Sequence, residues 1–346
     1  MAFNQESWLR VFSFLLCLVF AFPVNALPKK GTSTSSNGSS GTTKAAAASS
    51  SGGITKATDG SMILDKTVTI NGLSIRYKVS GPANMFTAAS GVTGATSAAN
   101  ATGTAGLNVL LHGDGGTSFF DFPNQAVQNN LMGVAVLAPN TNRFWGGGSG
   151  LQRTDGVAHA AAVNSLIQNQ LPKDIAFDKT NVNFMGVSGG SLLLSGFFVP
   201  TFGATYKSAT LLSCGALTPQ VPVVDANTLV TTTKIHFQST SDELALLQPA
   251  IPAAIQAYEK LATAAGMSAT QIGALQTVNN SPNGGGHCGF DQKAFVSGVQ
   301  LLANNYANIM GANASGQVTG ITGSVLKTVV GNENVVFTSA GQAQKL

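Results

Sequence analysis

Charge is what this chain has least of. Only 9% of its 346 residues are Asp, Glu, Lys or Arg, the net charge is +4, and no run of Lys or Arg occurs. Without a basic stripe there is no electrostatic footprint for nucleic acid or for an acidic membrane surface as a partner. Such sparse charge is uncommon in cytosolic proteins and commoner in secreted ones. Histidine and cysteine are also few, four and three. They do not cluster at ligand spacing, so neither a metal centre nor a cofactor is expected. Two tryptophans and four tyrosines offer few aromatic clamps for a sugar polymer.

A membrane-spanning run is missing too. The apolar stretch Val11 to Phe22, preceded by Arg10, is about 12 residues, short of the ~20 that cross a bilayer. With the small residues Val24-Asn25-Ala26 behind it, the stretch reads as a cleaved secretory signal over 1–26, which implies an extracellular protein without a membrane anchor. Cys17 leaves with that segment, so Cys214 and Cys288 remain as an even pair in an oxidising compartment. Sequons at Asn37, Asn100, Asn279 and Asn313 are compatible with a glycosylated surface.

What is present falls into a tail and a body. Residues 27–60 are mostly Ser, Thr, Gly and Ala, with almost nothing to bury, and read as a disordered linker. The body is expected over 61–346 as one domain and a monomer. Thr67–Ile70 and Leu73–Tyr77 alternate around Asn71-Gly72, the strongest short hairpin signal. Ala83 to Gly106 reads as a surface loop. From Leu107 the pattern changes: strands are expected at Leu107–Leu111, Val134–Pro139, Val182–Met185, Ala209–Leu212 and Ile235–Phe237. Helices are expected at Val157–Leu171, Ala245 to about Gly266, and Phe290–Met310. Strands alternating with helices mean a mostly parallel sheet covered on both faces, an α/β fold.

Gly186-Val187-Ser188-Gly189-Gly190 is the most informative stretch, and no other G-x-S-x-G occurs in the chain. An apolar strand precedes it and an apolar helix follows. A serine on so sharp a turn needs neighbours without Cβ atoms, so that strand and helix can pass closely. The serine is then exposed above the sheet, and the Gly189 amide points to where an oxyanion would form.

A serine hydroxyl becomes a nucleophile only when a base takes its proton and a third group fixes that base. His159 falls inside a helix and His236 inside a strand, where a packed histidine is the simple reading. His112 belongs to the loop after the first parallel strand. His287 alone lies in a late glycine-rich loop, Asn283-Gly284-Gly285-Gly286-His287-Cys288-Gly289, from which it can reach the serine. Between Ser188 and His287 the acids are Asp225, Asp242, Glu243 and Glu259. Asp242 follows a predicted strand end by a short turn, where such a fold collects its site groups, and is the expected acid. Glu243 is its near competitor. For the oxyanion, His112-Gly113-Asp114-Gly115-Gly116 offers turning amides, so Asp114, Gly115 and Gly189 form the expected hole.

On these motifs, from Leu110-Leu111-His112-Gly113 through the Trp145 loop and the elbow to Ser239-Thr240-Ser241-Asp242 and His287, the chain resembles the α/β-hydrolase superfamily over roughly residues 107–310. Within it the likeness is to secreted feruloyl-esterase and polyhydroxybutyrate-depolymerase types. Two departures stand out: those esterases often carry Asn where this chain has Gly189, and Asp114 puts a carboxylate beside the oxyanion loop. The resemblance implies a serine hydrolase cleaving a carboxylic ester, on a substrate that could be polymeric, through Ser188, His287 and Asp242 and an acyl-enzyme. It implies no large cap domain, because the interval Gly215 to Thr233 is too short for one. A peptidase or acyltransferase on the same scaffold, or a non-catalytic binding protein, are the alternatives. The sheet order of such a fold would bring Cys214 and Cys288 to one rim as a disulfide, with two separate buried thiols as the other reading.

Overall fold

Val182 and Phe184 enter one hydrophobic cluster while Met185 and Val187, from the same strand, enter another. The same division separates Val109 and Leu111 from Leu110. Strands apolar on both faces must be covered on both faces, and that requirement organises the molecule. The computed structural model describes residues 52–57, 59–121, 129–311, 314–316, 318–321 and 326–338.

The chain opens with an antiparallel run, β1 (Gly53–Lys56), β2 (Met62–Ile70) and β3 (Leu73–Gly81). Next come β4 (Gly106–Leu111), α1 (Thr117–Asp121), β5 (Leu131–Leu137), α2 (Gly156–Ser165) and α3 (Leu171–Asp174). Then follow β6 (Val182–Val187), α4 (Gly189–Leu193), α5 (Val199–Tyr206), β7 (Ala209–Ser213), α6 (Ala226–Thr232) and β8 (Lys234–Ser239). The chain closes with α7 (Leu247–Ala264), α8 (Ala269–Leu275), β9 (Gln276–Asn280), α9 (Phe295–Asn304), α10 (Tyr306–Met310) and β10 (Lys327–Thr328). A π turn at Leu194–Phe198 joins α4 to α5 without a break.

One ten-stranded sheet runs β1-β2-β3-β5-β4-β6-β7-β8-β9-β10. Pairings from β5 through β9 are parallel, and the others antiparallel. Numbered from β2, the eight inner strands therefore lie in the order 1-2-4-3-5-6-7-8. Helices α9 and α10 cover one face through Val299, Leu302, Tyr306 and Ile309. The other face is covered by α2, α4, α5, α7 and the π turn at Leu194–Phe198, through residues such as Val163, Leu193, Phe198, Val199 and Tyr258. Phe184, Phe198 and Tyr206 form an aromatic knot there, with ring centroids 4.7–5.7 Å apart.

The Asn71-Gly72 hairpin forms as expected, with both residues at positive φ (52° and 79°), which suits the twist of the strands it joins. Several boundaries differ from the sequence reading. β1 lies inside the stretch assigned to a linker, because even Gly-Ile-Thr-Lys can pair when β2 offers it an open edge. Residues 290–294 are not helical; the last helix starts at Phe295 and breaks at Asn305 into α10. α8 and β9, which carried no strong periodicity, complete the parallel sheet. The interval Gly215 to Thr233 holds only α6, which packs against α5 and α7 on the flank of the sheet rather than forming a cap.

The expected leader at 1–26 and most of the expected linker lie outside the described residues, as do the sequons at Asn37 and Asn313. No described helix is long and apolar enough to cross a membrane. Asn100 is exposed at a positive-φ turn. Asn279 is not a usable sequon: its side chain is buried in β9, between β8 and β10, with no room for a glycan. When the protein is expressed through a glycosylating secretory host, peptide mass mapping should find the peptide containing Asn279 unmodified.

Two histidines are sealed in the body. His112 donates from Nδ1 to the Gly113 carbonyl at 2.6 Å and accepts at Nε2 from the Ala138 amide at 2.9 Å. His236 is held by Thr277 and Gln238. Burial pushes both down to about 4. The unfolded chain binds protons at these sites below pH ~6.5, whereas the folded protein does not until about pH 4, so folding disfavours their protonation. Their contribution to stability should be complete above pH ~6.5 and fall as pH drops towards about 4, with an uptake of up to two protons on unfolding. Urea titrations across that window measure it; a flat stability from pH ~6.5 to ~4 would contradict the buried neutral pair.

Candidate active site

The elbow is strained where the sequence requires it. Ser188 sits at φ 50° and ψ −114°, a conformation that L-residues avoid and that costs ~1–3 kcal/mol unless its surroundings enforce it. They do: the Ser188 amide donates to Ser213 O at 2.8 Å, and its carbonyl receives the Leu192 amide at 3.1 Å. Two glycines let strand and helix close around it. A Cβ on Gly186 would stand 2.6 Å from Ser191 Cα, and one on Gly190 would stand 2.1 Å from the Leu111 carbonyl oxygen.

Three loops at the carboxyl edge of the parallel strands meet at His287. Its Nε2 lies 2.9 Å from Ser188 Oγ. Its Nδ1 lies 2.6 Å from Glu243 Oε2. In the tautomer that satisfies both contacts, Nδ1–H donates to the carboxylate and Nε2 accepts from the serine hydroxyl. The expected acid is thereby corrected, since the structure brings Glu243 and not Asp242 to the imidazole. Glu243 is fully buried, and its oxygens also receive the Thr240 amide at 3.4 Å and the Leu244 amide at 3.3 Å. Asp242 is half-buried, and its amide donates to Thr240 Oγ1 at 3.4 Å. The reason is the shape of the turn. Ser241 N–H donates to Pro282 O at 3.1 Å and Thr240 Oγ donates to Gly286 O at 3.0 Å, so the turn lies flat against the histidine loop. In that setting the following residue, with its longer side chain, is the one that reaches back. Asp225 caps α6 and Glu259 lies on α7, both away from the imidazole.

The oxyanion loop departs from expectation in one position. The Gly115 amide already donates to Arg143 O at 3.2 Å, so it is not available to a ligand. Gly113 packs on Ser188: its Cβ position lies 3.3 Å from Ser188 Cβ and 3.2 Å from Phe295 Cζ. Phe295 also faces His287, with ring centroids 6.0 Å apart. The Asp114 side chain turns to Arg153, which holds it by two bonds of 2.8 Å. Neither Arg153 nor Phe295 was singled out in the sequence. An arginine that a charge-poor chain places in the loop just before a helix was the available signal for the first.

Cys214 and Cys288 form a disulfide with Cα atoms 5.2 Å apart. It ties the end of β7, beneath the elbow, to the residue after His287, and Cys288 Sγ lies 3.7 Å from His287 Nε2. Cys214, His287 and Cys288 are the one such grouping among the described residues close enough to hold a metal. With the sulfurs bonded to each other, no thiolate remains to bind one. His159 accepts the Gly146 amide at 2.8 Å and, with His112, flanks the buried Trp145; both are supports of the site loops rather than members of it.

No family model and no curated protein matches the sequence. Among solved structures, an esterase variant aligns at 16% identity over 77% of this chain and 84% of its own, with a TM-score of 0.42. A ferulic acid esterase aligns at 14% identity, covering 69% of this chain and 95% of its own, TM-score 0.38. An esterase from the fungus Rhizomucor miehei aligns at 13% identity, covering 64% and 73%, TM-score 0.38. Likenesses this slight do not decide the fold. The order of the inner strands and the strand–elbow–helix at Ser188 do: the described body has the α/β-hydrolase fold.

Proposed function

We propose that this protein is a secreted serine esterase in which Ser188, His287 and Glu243 act as nucleophile, base and acid. The observation that supports it most is the unbroken relay through His287, 2.9 Å to Ser188 Oγ and 2.6 Å to Glu243 Oε2, on a strained elbow. Ser188 Oγ attacks the ester carbonyl carbon while its proton passes to His287 Nε2. The carbonyl oxygen gains the charge and is received by the amides of Gly189 and Asp114. His287 then returns the proton to the departing alcohol as the C–O bond breaks, leaving an acyl-Ser188. Water repeats the sequence, giving its proton to His287 and releasing the acid. The leader-like segment and the disulfide support secretion. An intact relay supports catalysis over a binding role. The lack of a cap between β7 and β8 supports an open groove, suited to an ester on a large substrate.

Ser188→Ala should leave a folded protein whose hydrolysis of p-nitrophenyl esters is about three or more orders of magnitude slower, and His287→Ala should match it because the two act as one unit. Glu243→Gln should be the damaging acid substitution and Asp242→Asn nearly silent. The reverse order would place the acid back at Asp242. A wild-type enzyme that fails to take up a fluorophosphonate at Ser188 would refute the reading altogether.

Cys288→Ser tests the tether. The bond closes a loop of 74 residues, worth ~2–4 kcal/mol by chain-entropy estimates. Its loss should lower thermal stability and activity together, because the same bond holds the end of β7, the neighbour of the elbow strand, against the loop of His287. Loss of stability with unchanged kcat would show that the loop keeps His287 in place unaided.

A further inference from the structure

Arg153 and Asp114 form an ion pair with almost no access to water, their side chains 2% and 9% exposed. Arg153 Nη1 donates to Asp114 Oδ1 at 2.8 Å and to Trp145 O at 3.0 Å, and Nη2 donates to Asp114 Oδ2 at 2.8 Å. Its Nε is buried with no partner. Burying a charged pair at the cost of an orphaned N–H gives little net stability, so the pair calls for another reason. Its location supplies one. A Cβ built on Gly189 would lie 2.0 Å from Asp114 Oδ1. The carboxylate therefore rests against the backbone of Gly189, and the amides of Asp114 and Gly189 are the two proposed oxyanion donors.

We infer that Arg153 is a positioning residue for oxyanion stabilisation, neutralising the Asp114 carboxylate and fixing the loop whose amide receives the developing charge. The inference rests on the serine-esterase reading above. An unpaired carboxylate at this place would oppose the negative charge that forms on the substrate oxygen, in a site too poorly solvated to screen it. Held on both oxygens by a planar guanidinium, it cannot rotate toward that oxygen. The same contact accounts for glycine at 189: a side chain there would displace the carboxylate from its partner. Arg153 touches no reacting atom, so its effect would be transmitted through Asp114.

The test uses the full chain and three variants, read by kcat and KM on a soluble ester and by the affinity of an alkylboronic acid, whose tetrahedral adduct on Ser188 carries the oxyanion charge. Arg153→Met should lower kcat by about 100-fold, the scale of losing one oxyanion donor, with KM changed less than about threefold and boronate affinity falling alongside kcat/KM. Asp114→Asn with Arg153→Met removes the opposing charge and should recover at least about tenfold of that loss. A merely structural arginine would give no recovery, because the double variant has lost both sides of the contact. Arg153→Lys keeps the charge without the fork and should fall between. If Arg153→Met does not fold, Arg153→Lys decides: kcat and boronate affinity should fall together by about tenfold with KM changed less than about threefold, and a kcat equal to that of wild type would overturn the inference. So would an Arg153→Met enzyme of near-normal kcat, or a double variant no better than the single. The failure of the underlying reading looks different: the wild type itself would neither take up a fluorophosphonate nor hydrolyse esters.

Discussion

An imidazole can pass a proton in one direction only if both of its nitrogens are committed, and His287 is committed on both sides. That requirement falls on three segments widely separated in sequence: the elbow after β6, the turn after β8 and the loop after β9. Parallel strands solve it, because their carboxyl ends share one edge and their spacing sets the distances between the loops. β7 lies between the elbow strand and the acid strand, and β8 between β7 and the histidine strand. The bonds of Thr240 and Ser241 to Gly286 and Pro282 then lock the acid turn to the base loop. The disulfide fixes the base loop to the end of β7, directly under the elbow.

Sparse charge shapes the rest of the site. Glu243 is wholly buried and has an imidazole and two amides as partners; Asp114 is nearly buried and has a guanidinium. Removing a carboxylate from water is tolerable only with partners of this kind. Each acid at the site is thus fixed in direction as well as in charge. One is aimed at His287, and the other is held by Arg153 beside Gly189. The loop carrying Asp114 has further anchors in His112, which stays neutral at ordinary pH because burial pushes it down to about 4, and in the Gly115 contact to Arg143.

Much of this was legible in the residues. The elbow needed no structure, because Gly186 and Gly190 occupy positions where any Cβ would strike backbone, and that demand is local. His287 was separable from the other three histidines by the elements around them. The choice between Asp242 and Glu243 was not legible. Neighbouring acids in an irregular turn have no periodicity, and which one faces inward depends on contacts with a loop 42 to 46 residues away. Gly115 failed for a related reason: its amide is consumed by Arg143, a partner that no local pattern points to. β9 and the break at Asn305 were missed because polar, short elements show weak periodicity until a neighbouring strand or helix pairs with them.

The alternation of strands and helices, the elbow serine and the histidine that reaches it can be read from the chain alone, since each depends on chemistry within a few residues. Which carboxylate meets the histidine, and that an arginine holds Asp114 beside Gly189, emerge from the packed fold. Those outcomes depend on the directions of side chains arriving from separate loops. Directions of that kind are set by the packing and register of the whole sheet, which no stretch of sequence contains.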